Sequence, residues 1–363
     1  KGPMIFYINA FPQLCSRTVT AVWVQEVVLF FLSLPLIARM ADRMGLRFAL
    51  PAQMVYLAFV GLCIDGGNYT EEYCNFFTLL GLATCVDYTF DGAPSAHWRH
   101  GLLLGLSFSL NLMTRLNNAL GVCALTLVFT CALGWRGDGK GLVRNVLSFL
   151  AGCALVCGPI LIYLGLNGAL DAFYYAAFEH NLLYAGVKDQ SRLHLLLETA
   201  YGERAALAAG LGVLGALAAV LTDRRNARLR VLAIALTAFA AANAGGAFVS
   251  HKGYLHYLLP GALSAMAGAL CLCRAFERSS RQAGALAAAT LFAYSLSVAR
   301  PSLRAADAAA RETLWANQGF AQPSVEPVSH VPEDERDDIL CHRLEHLWSC
   351  VTHVLPARRV FFI

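Results

Sequence analysis

Long apolar stretches, each about the length needed to cross a bilayer, repeat along the chain and are separated by short breaks carrying charge, Gly or Pro. A membrane helix needs about 20 mostly apolar residues. On that template ten spans are expected, at about 19–38, 46–64, 73–90, 100–114, 118–134, 143–166, 205–222, 229–249, 256–273 and 284–299. The fourth is short enough to be a broken or partly inserted helix, and the sixth is long enough to tilt, or to kink at Pro159. The pattern predicts an all-α polytopic membrane protein with about 10 transmembrane helices in residues 1–299. Residues 300–363 follow as a small external segment.

Composition supports the pattern. Of 363 residues, 57% are hydrophobic and only 14% are charged, whereas charged residues make up roughly a quarter of a soluble domain. The net charge of +4 comes with no dense basic patch interleaved with aromatics, which argues against nucleic-acid binding. From Arg300 onward the composition turns polar, with 7 Lys+Arg and 9 Asp+Glu in residues 300–363, and VPEDERDD reads as a turn before a short helix over 339–348.

Lys and Arg mark the sides of the membrane. Alternate loops hold 14 of them, among them Arg39, Arg43, Arg47, Arg136, Lys140, Arg144, Arg274 and Arg278, against five in the others: Arg115, Lys188, Arg192, Arg204 and Lys252. The richer loops are assigned to the cytoplasm, which places both ends of this chain, and the tail, outside. The acidic residues Asp65, Glu71, Glu72, Asp171, Glu179, Asp189, Glu198 and Glu203 fall in or beside the external loops.

Most of the 12 cysteines lie in or near spans, where Cys acts as a small hydrophobe. Cys341 and Cys350 could pair in an oxidising compartment. No spacing suggests zinc, and no metal ligands are named. GLGVLG at 210–215 fits a dinucleotide fingerprint, but it sits inside an apolar span and reads as close helix packing. GDGKG at 137–141 reads as a cytoplasmic turn, and NYT at 68–70 is formally a glycosylation acceptor.

Four external clusters remain as candidate chemistry. DGGNYTEEY at 65–73 offers paired carboxylates able to supply a base, bind a metal or hold a cationic group, or a solvated turn with Thr70 capping a helix whose first turn is acidic. TRLNNALG at 114–121 places Arg115 at the bilayer edge, where a guanidinium can fork onto a phosphate or snorkel. SHKGYLHYLLP at 250–260 brings His, Lys and Tyr together, either as a phosphate and sugar site or as an aromatic belt. In the loop 167–204, Leu170, Phe173, Tyr174, Ala177, Phe178 and Leu182 recur at helical spacing, as an interfacial helix would. Glu26, inside the first span, is functional by default unless a polar group of another helix partners it.

The order of KGPMIFYINAF, GGNYTEEY, TRLNNALGV and HKGYLHYLLP across nearly the whole chain resembles bacterial integral-membrane glycosyltransferases of the GT-C superfamily. The nearest branch is the protein mannosyltransferase-like and lipid A galacturonosyltransferase-like one. The resemblance implies transfer of a sugar from a polyprenyl-phosphate donor to a lipid, glycan or protein acceptor on the outer side of the cytoplasmic (inner) membrane. It makes Glu71 and Glu72 catalytic candidates and gives Arg115 and Lys252 to the donor phosphate. Asn68, Asn117, Asn118, His251, Tyr254, His256 and Tyr257 would line the substrate cavity. No cofactor is implied with certainty, and a divalent metal is left open without a ligand set. The superfamily's principal acid lies in a first external loop, which would precede Lys1. The opening at Lys1 and the close at FFI lead to the expectation of a piece of a longer protein.

The competing function class is a polytopic transporter or flippase of lipid-linked or small substrates. It predicts internal repeats with broken helices, and 1–150 shows no self-similarity to 151–300. A non-catalytic membrane scaffold predicts no convergence of the external polar clusters. An O-antigen ligase or polymerase predicts a larger external loop.

Overall fold

A computed structural model describes residues 2–16, 19–64, 68–91, 98–180, 183, 191–197, 199–249 and 252–295. The tail 300–363, with Cys341 and Cys350, lies outside the described residues, as do Asp65, Leu182 and His251. No strand occurs among the described residues. In chain order the helices are α1 (Met4–Gln13), α2 (Val19–Arg43), α3 (Leu50–Cys63), α4 (Thr70–Phe90), α5 (Trp98–Thr114), α6 (Ala119–Trp135), α7 (Gly139–Leu166) and α8 (Leu170–Tyr174). They continue with α9 (Arg192–Leu197), α10 (Thr199–Thr222), α11 (Ala227–Val249), α12 (Leu259–Ser279) and α13, over 281–295.

Each apolar stretch read from the sequence carries a helix among its described residues, but the count of membrane-crossing helices is smaller than ten. Among the described residues six are long and apolar enough to cross a bilayer: Thr20–Arg43, Leu116–Trp135, Gly139–Leu166, Tyr201–Thr222, Ala227–Val249 and Leu255–Ser279. The reason is length and polarity. The 14 residues of α3 rise only about 21 Å at 1.5 Å each, and the 17 of α5 reach only about 26 Å, against a hydrocarbon core of about 30 Å. α4 is long enough, but Asn75, Thr78, Thr84, Asp87 and Thr89 lower its apolar character. The chain is therefore a multi-pass membrane protein by its helices. α7 is continuous through Pro159.

The bundle is organised around α12, the most enclosed of the long helices, with α7 at the periphery. α12 packs on α10, α3 and α11, while α5 packs on α7 and α4. Two of these pairs touch backbone to backbone. A Cβ on Gly105 would stand 2.1 Å from the Phe149 carbonyl oxygen, and one on Gly215 would stand 2.2 Å from that of Gly268. Gly212 and Gly215 thus give GLGVLG the packing role expected of small residues.

One end of the bundle gathers the basic residues. Arg39 pairs with Asp87 at 2.6 Å, Arg43 with Asp87 at 3.1 Å and with Asp91 at 3.3 Å, and Arg278 with Asp223 at 2.5 Å. Arg274 donates to the Met44 carbonyl and lies over the Phe90 ring. GDGKG is a turn only in its first two residues and then opens α7: Gly137 has φ +70, and Asp138 caps the helix by accepting from the Gly141 N–H at 2.8 Å. A helix over 170–174 continues as a π turn, Tyr175–Glu179, with Leu170 and Tyr174 exposed and Ala177 buried.

Candidate functional site

At the opposite end of the bundle, three segments far apart in sequence meet. The chain enters α4 from Asn68, whose φ of 58 is the left-handed conformation that Asn tolerates better than most residues. Thr70 does not cap it: the cap position is Tyr69, and Glu72 reaches back three residues to accept the Tyr69 N–H at 3.1 Å. That leaves the Thr70 hydroxyl inside the helix, where it donates to Glu71 Oε2 at 2.8 Å.

Successive residues on a helix point about 100° apart, so the two carboxylates diverge. Glu71 is ion-paired with Arg115. Arg115 sits at the break between α5 and the 3-10 turn Leu116–Asn118, in extended backbone at φ -162. Its guanidinium also lies 4.4 Å from the ring centroid of Tyr257, a cation–π contact. Burial works against the charge on Arg115, but Glu71 first and then Tyr257 outweigh it and the net shift of its pKa is upward.

Glu71, Arg115, Asn117, Asn118 and Tyr257 line one cavity, joined by Asn243 and Gly246 of α11 and Pro260 of α12. Its free space is about 10 Å³, close to what one water needs, so the cavity is closed by its own ion pair. Asn243 ties two of its walls together, donating to the Pro260 carbonyl at 3.2 Å and to Ser264 Oγ at 3.1 Å.

The remaining expected residues divide. Tyr257 faces the cavity. His256 stacks on Tyr69 at 4.0 Å with planes 7° apart, and Tyr254, half exposed, lies 5.6 Å from His256. Lys252 is partly exposed and does not line the cavity. Asn68 lies on the other side of α4, where its Oδ1 accepts from the Tyr73 hydroxyl at 3.1 Å. Glu72 also points away from Arg115, into a second cavity with Glu26. Glu26 has the polar partner expected as the alternative to function, because the Tyr73 hydroxyl lies 3.2 Å from its Oε1.

Sequence reasoning missed Asn243, Gly246 and Pro260 as cavity residues. Asn243 carried a signal, a lone amide inside the apolar run ALTAFAAANAGGAFV. No group of three or more His, Cys, Asp or Glu able to hold a metal occurs among the described residues. Comparison with known proteins gives no match to a protein-family model, to a curated protein or to a solved structure.

Proposed function

We propose that this protein is a membrane glycosyltransferase that moves a sugar from a polyprenyl-phosphate donor to a lipid, glycan or protein acceptor at the outer face of the inner membrane. The observation that carries the reading is the meeting of Glu71, Arg115 and Tyr257 around one cavity at the end of the bundle away from the basic cluster. A scaffold has no need to bury an Arg and a carboxylate there, since taking charges out of water is costly. The ten-span topology, with the tail outside, belongs to this proposal; α3, α4 and α5 would then be membrane helices shielded by their neighbours, and α13, largely exposed, one that faces the lipid.

The chemistry follows from exchange of partners. A donor phosphate entering the cavity takes the guanidinium of Arg115, which suits bidentate phosphate contact, and releases Glu71. The acceptor hydroxyl oxygen attacks the anomeric carbon, and the bond from that carbon to the phosphate oxygen breaks. The polyprenyl phosphate leaves with the electron pair, and the hydroxyl proton passes to Glu71. Arg115 stabilises the charge that develops on the leaving phosphate. Asn117 and Asn118, beside it, offer hydrogen bonds to the sugar.

Binding of polyprenyl phosphate to the purified full-length protein tests the role of Arg115 without requiring turnover. Arg115→Gln should weaken binding at least about tenfold, or about 1.4 kcal/mol. Glu71→Gln, which frees the guanidinium, should strengthen it. Equal binding by all three proteins would reject the phosphate role, and movement of the lipid across the bilayer without sugar transfer would favour a flippase.

A further inference from the structure

The second cavity carries chemistry that the donor reading does not use. Glu26 of α2 and Glu72 of α4 line it together with Ser33, Tyr56, Tyr73 and Phe76. Both residues are buried, at 6% and 5% exposure. Donors are scarce around them. The Tyr73 hydroxyl has one proton to give and three acceptors within reach: Glu26 Oε1 at 3.2 Å, Asn68 Oδ1 at 3.1 Å and Asn9 Oδ1 at 3.3 Å. Glu72 Oε2 takes the Tyr69 N–H, while Glu72 Oε1 is buried with no hydrogen-bond partner. No Lys or Arg lines the cavity among the described residues.

Two ionised carboxylates in one closed cavity without a cation repel each other, and neither can donate a hydrogen bond. A cation or a proton would relieve this. The space left in the cavity is about 0 Å³, too little even for one water, so a hydrated ion has no room and a proton needs none. We propose that Glu26 and Glu72 form a proton-binding dyad, one proton shared between the two carboxyl groups and holding α2 against the first turn of α4. The proton satisfies Glu72 Oε1 and removes one of the two negative charges.

The surroundings agree with this assignment. Glu72 lies in the first turn of α4, before the apolar stretch 73–90. Burial first, then the neighbouring Glu26 carboxyl, hold its carboxyl well above the usual carboxylate range. The titratable groups facing the dyad from the packed elements are Tyr56 of α3 and Tyr73 of α4, while α1 contributes the neutral Asn9. Glu71 follows Thr70 on the same turn, so loss of the proton acts on the helix end that also positions the Arg115 pair. The dyad does not depend on sugar transfer, and either reading can fail without the other.

The sign of the pH effect is fixed. An unfolded Glu loses its proton near pH 4.3, whereas Glu72, buried beside a second carboxyl, keeps its proton to a higher pH. The folded state therefore binds more protons between the two values, and stability falls as pH rises through that window. The test uses the full-length protein in detergent. The infrared carbonyl band of a protonated carboxylic acid should be present at neutral pH, vanish on alkaline titration and be missing from Glu72→Gln. The melting temperature of Glu26→Gln/Glu72→Gln should lack the fall with pH seen in the wild type and exceed the wild-type value by several degrees at alkaline pH. A wild type with no protonated carboxyl at neutral pH overturns the proposal, and that measurement requires no variant. So does a pH profile of stability identical in the double variant, or a wild-type melting temperature that rises with sodium at fixed pH.

Discussion

Glu71 and Glu72 are neighbours in the chain, yet the helix that carries them sends one to Arg115 and the other to the cavity of Glu26. A motif that looks like a pair of cooperating acids is two separate half-sites. Each is completed by an element far away: the turn after α5 for Glu71 and the third turn of α2 for Glu72. The function proposed here rests on the first half-site and the proton dyad on the second.

Because the Glu71 carboxylate is almost fully buried and Arg115 mostly so, removing one partner strands the other. Arg115→Ala should destabilise the protein by about 3 kcal/mol, and Glu71→Gln/Arg115→Ala by clearly less, since the double variant leaves no unpaired charge. Thermal unfolding of the detergent-solubilised proteins separates the two. A double variant as unstable as the single would show that the charge pair is not what holds this end together.

Asn243 makes a more local prediction. Asn243→Leu removes the hydrogen bonds to Pro260 and Ser264 and should cost about 1–3 kcal/mol. Part of this loss should be recovered in Asn243→Leu/Ser264→Ala, where the hydroxyl is no longer left without its donor. Additive losses in the melting temperatures would contradict the coupling.

Backbone contact between helices sets which glycines tolerate a side chain. Gly105→Leu and Gly215→Val drive a side chain into the facing carbonyls of Phe149 and Gly268 and should abolish the monodisperse peak in size-exclusion chromatography. Gly210→Ala meets nothing within 4 Å and should leave the peak intact, with up to about 1 kcal/mol gained from helix propensity. Sensitivity at Gly210 equal to that at Gly215 would refute the packing assignment.

The topology is tested across α7. In a background freed of native cysteines, Gly168→Cys should react with an impermeant thiol reagent from outside intact cells. Gly137→Cys, at the other end of the helix, should react only after permeabilisation. Reaction of both from one side would overturn the assignment of the basic loops to the cytoplasm.

Local periodicity made the helices legible, and packing made the site. The apolar stretch at 118–134 corresponds closely to Ala119–Trp135, and 229–249 to Ala227–Val249. α2 runs on to Arg43 instead of stopping near 38, because Arg39 and Arg43 find Asp87 and Asp91 at its end. The clusters around Glu71, Arg115 and Tyr257 were visible as polar breaks on one side. Their contact was not, because it depends on how α4, the end of α5 and the turn before α12 lie beside one another. The meeting of Glu26 and Glu72 was hidden for the same reason, as one sits inside an apolar run and the other beside a more conspicuous acid.

The most direct measurement of the central claim is sugar transfer itself. Membranes containing the full-length protein, supplied with radiolabelled polyprenyl-phosphate sugar, should move label into a lipid, glycan or protein acceptor. Membranes carrying Arg115→Gln should show at least about a tenfold loss at subsaturating donor, the loss expected when about 1.4 kcal/mol of contact with the phosphate is removed. No transfer by the wild type to any acceptor, with the donor intact and the protein folded, would contradict the account.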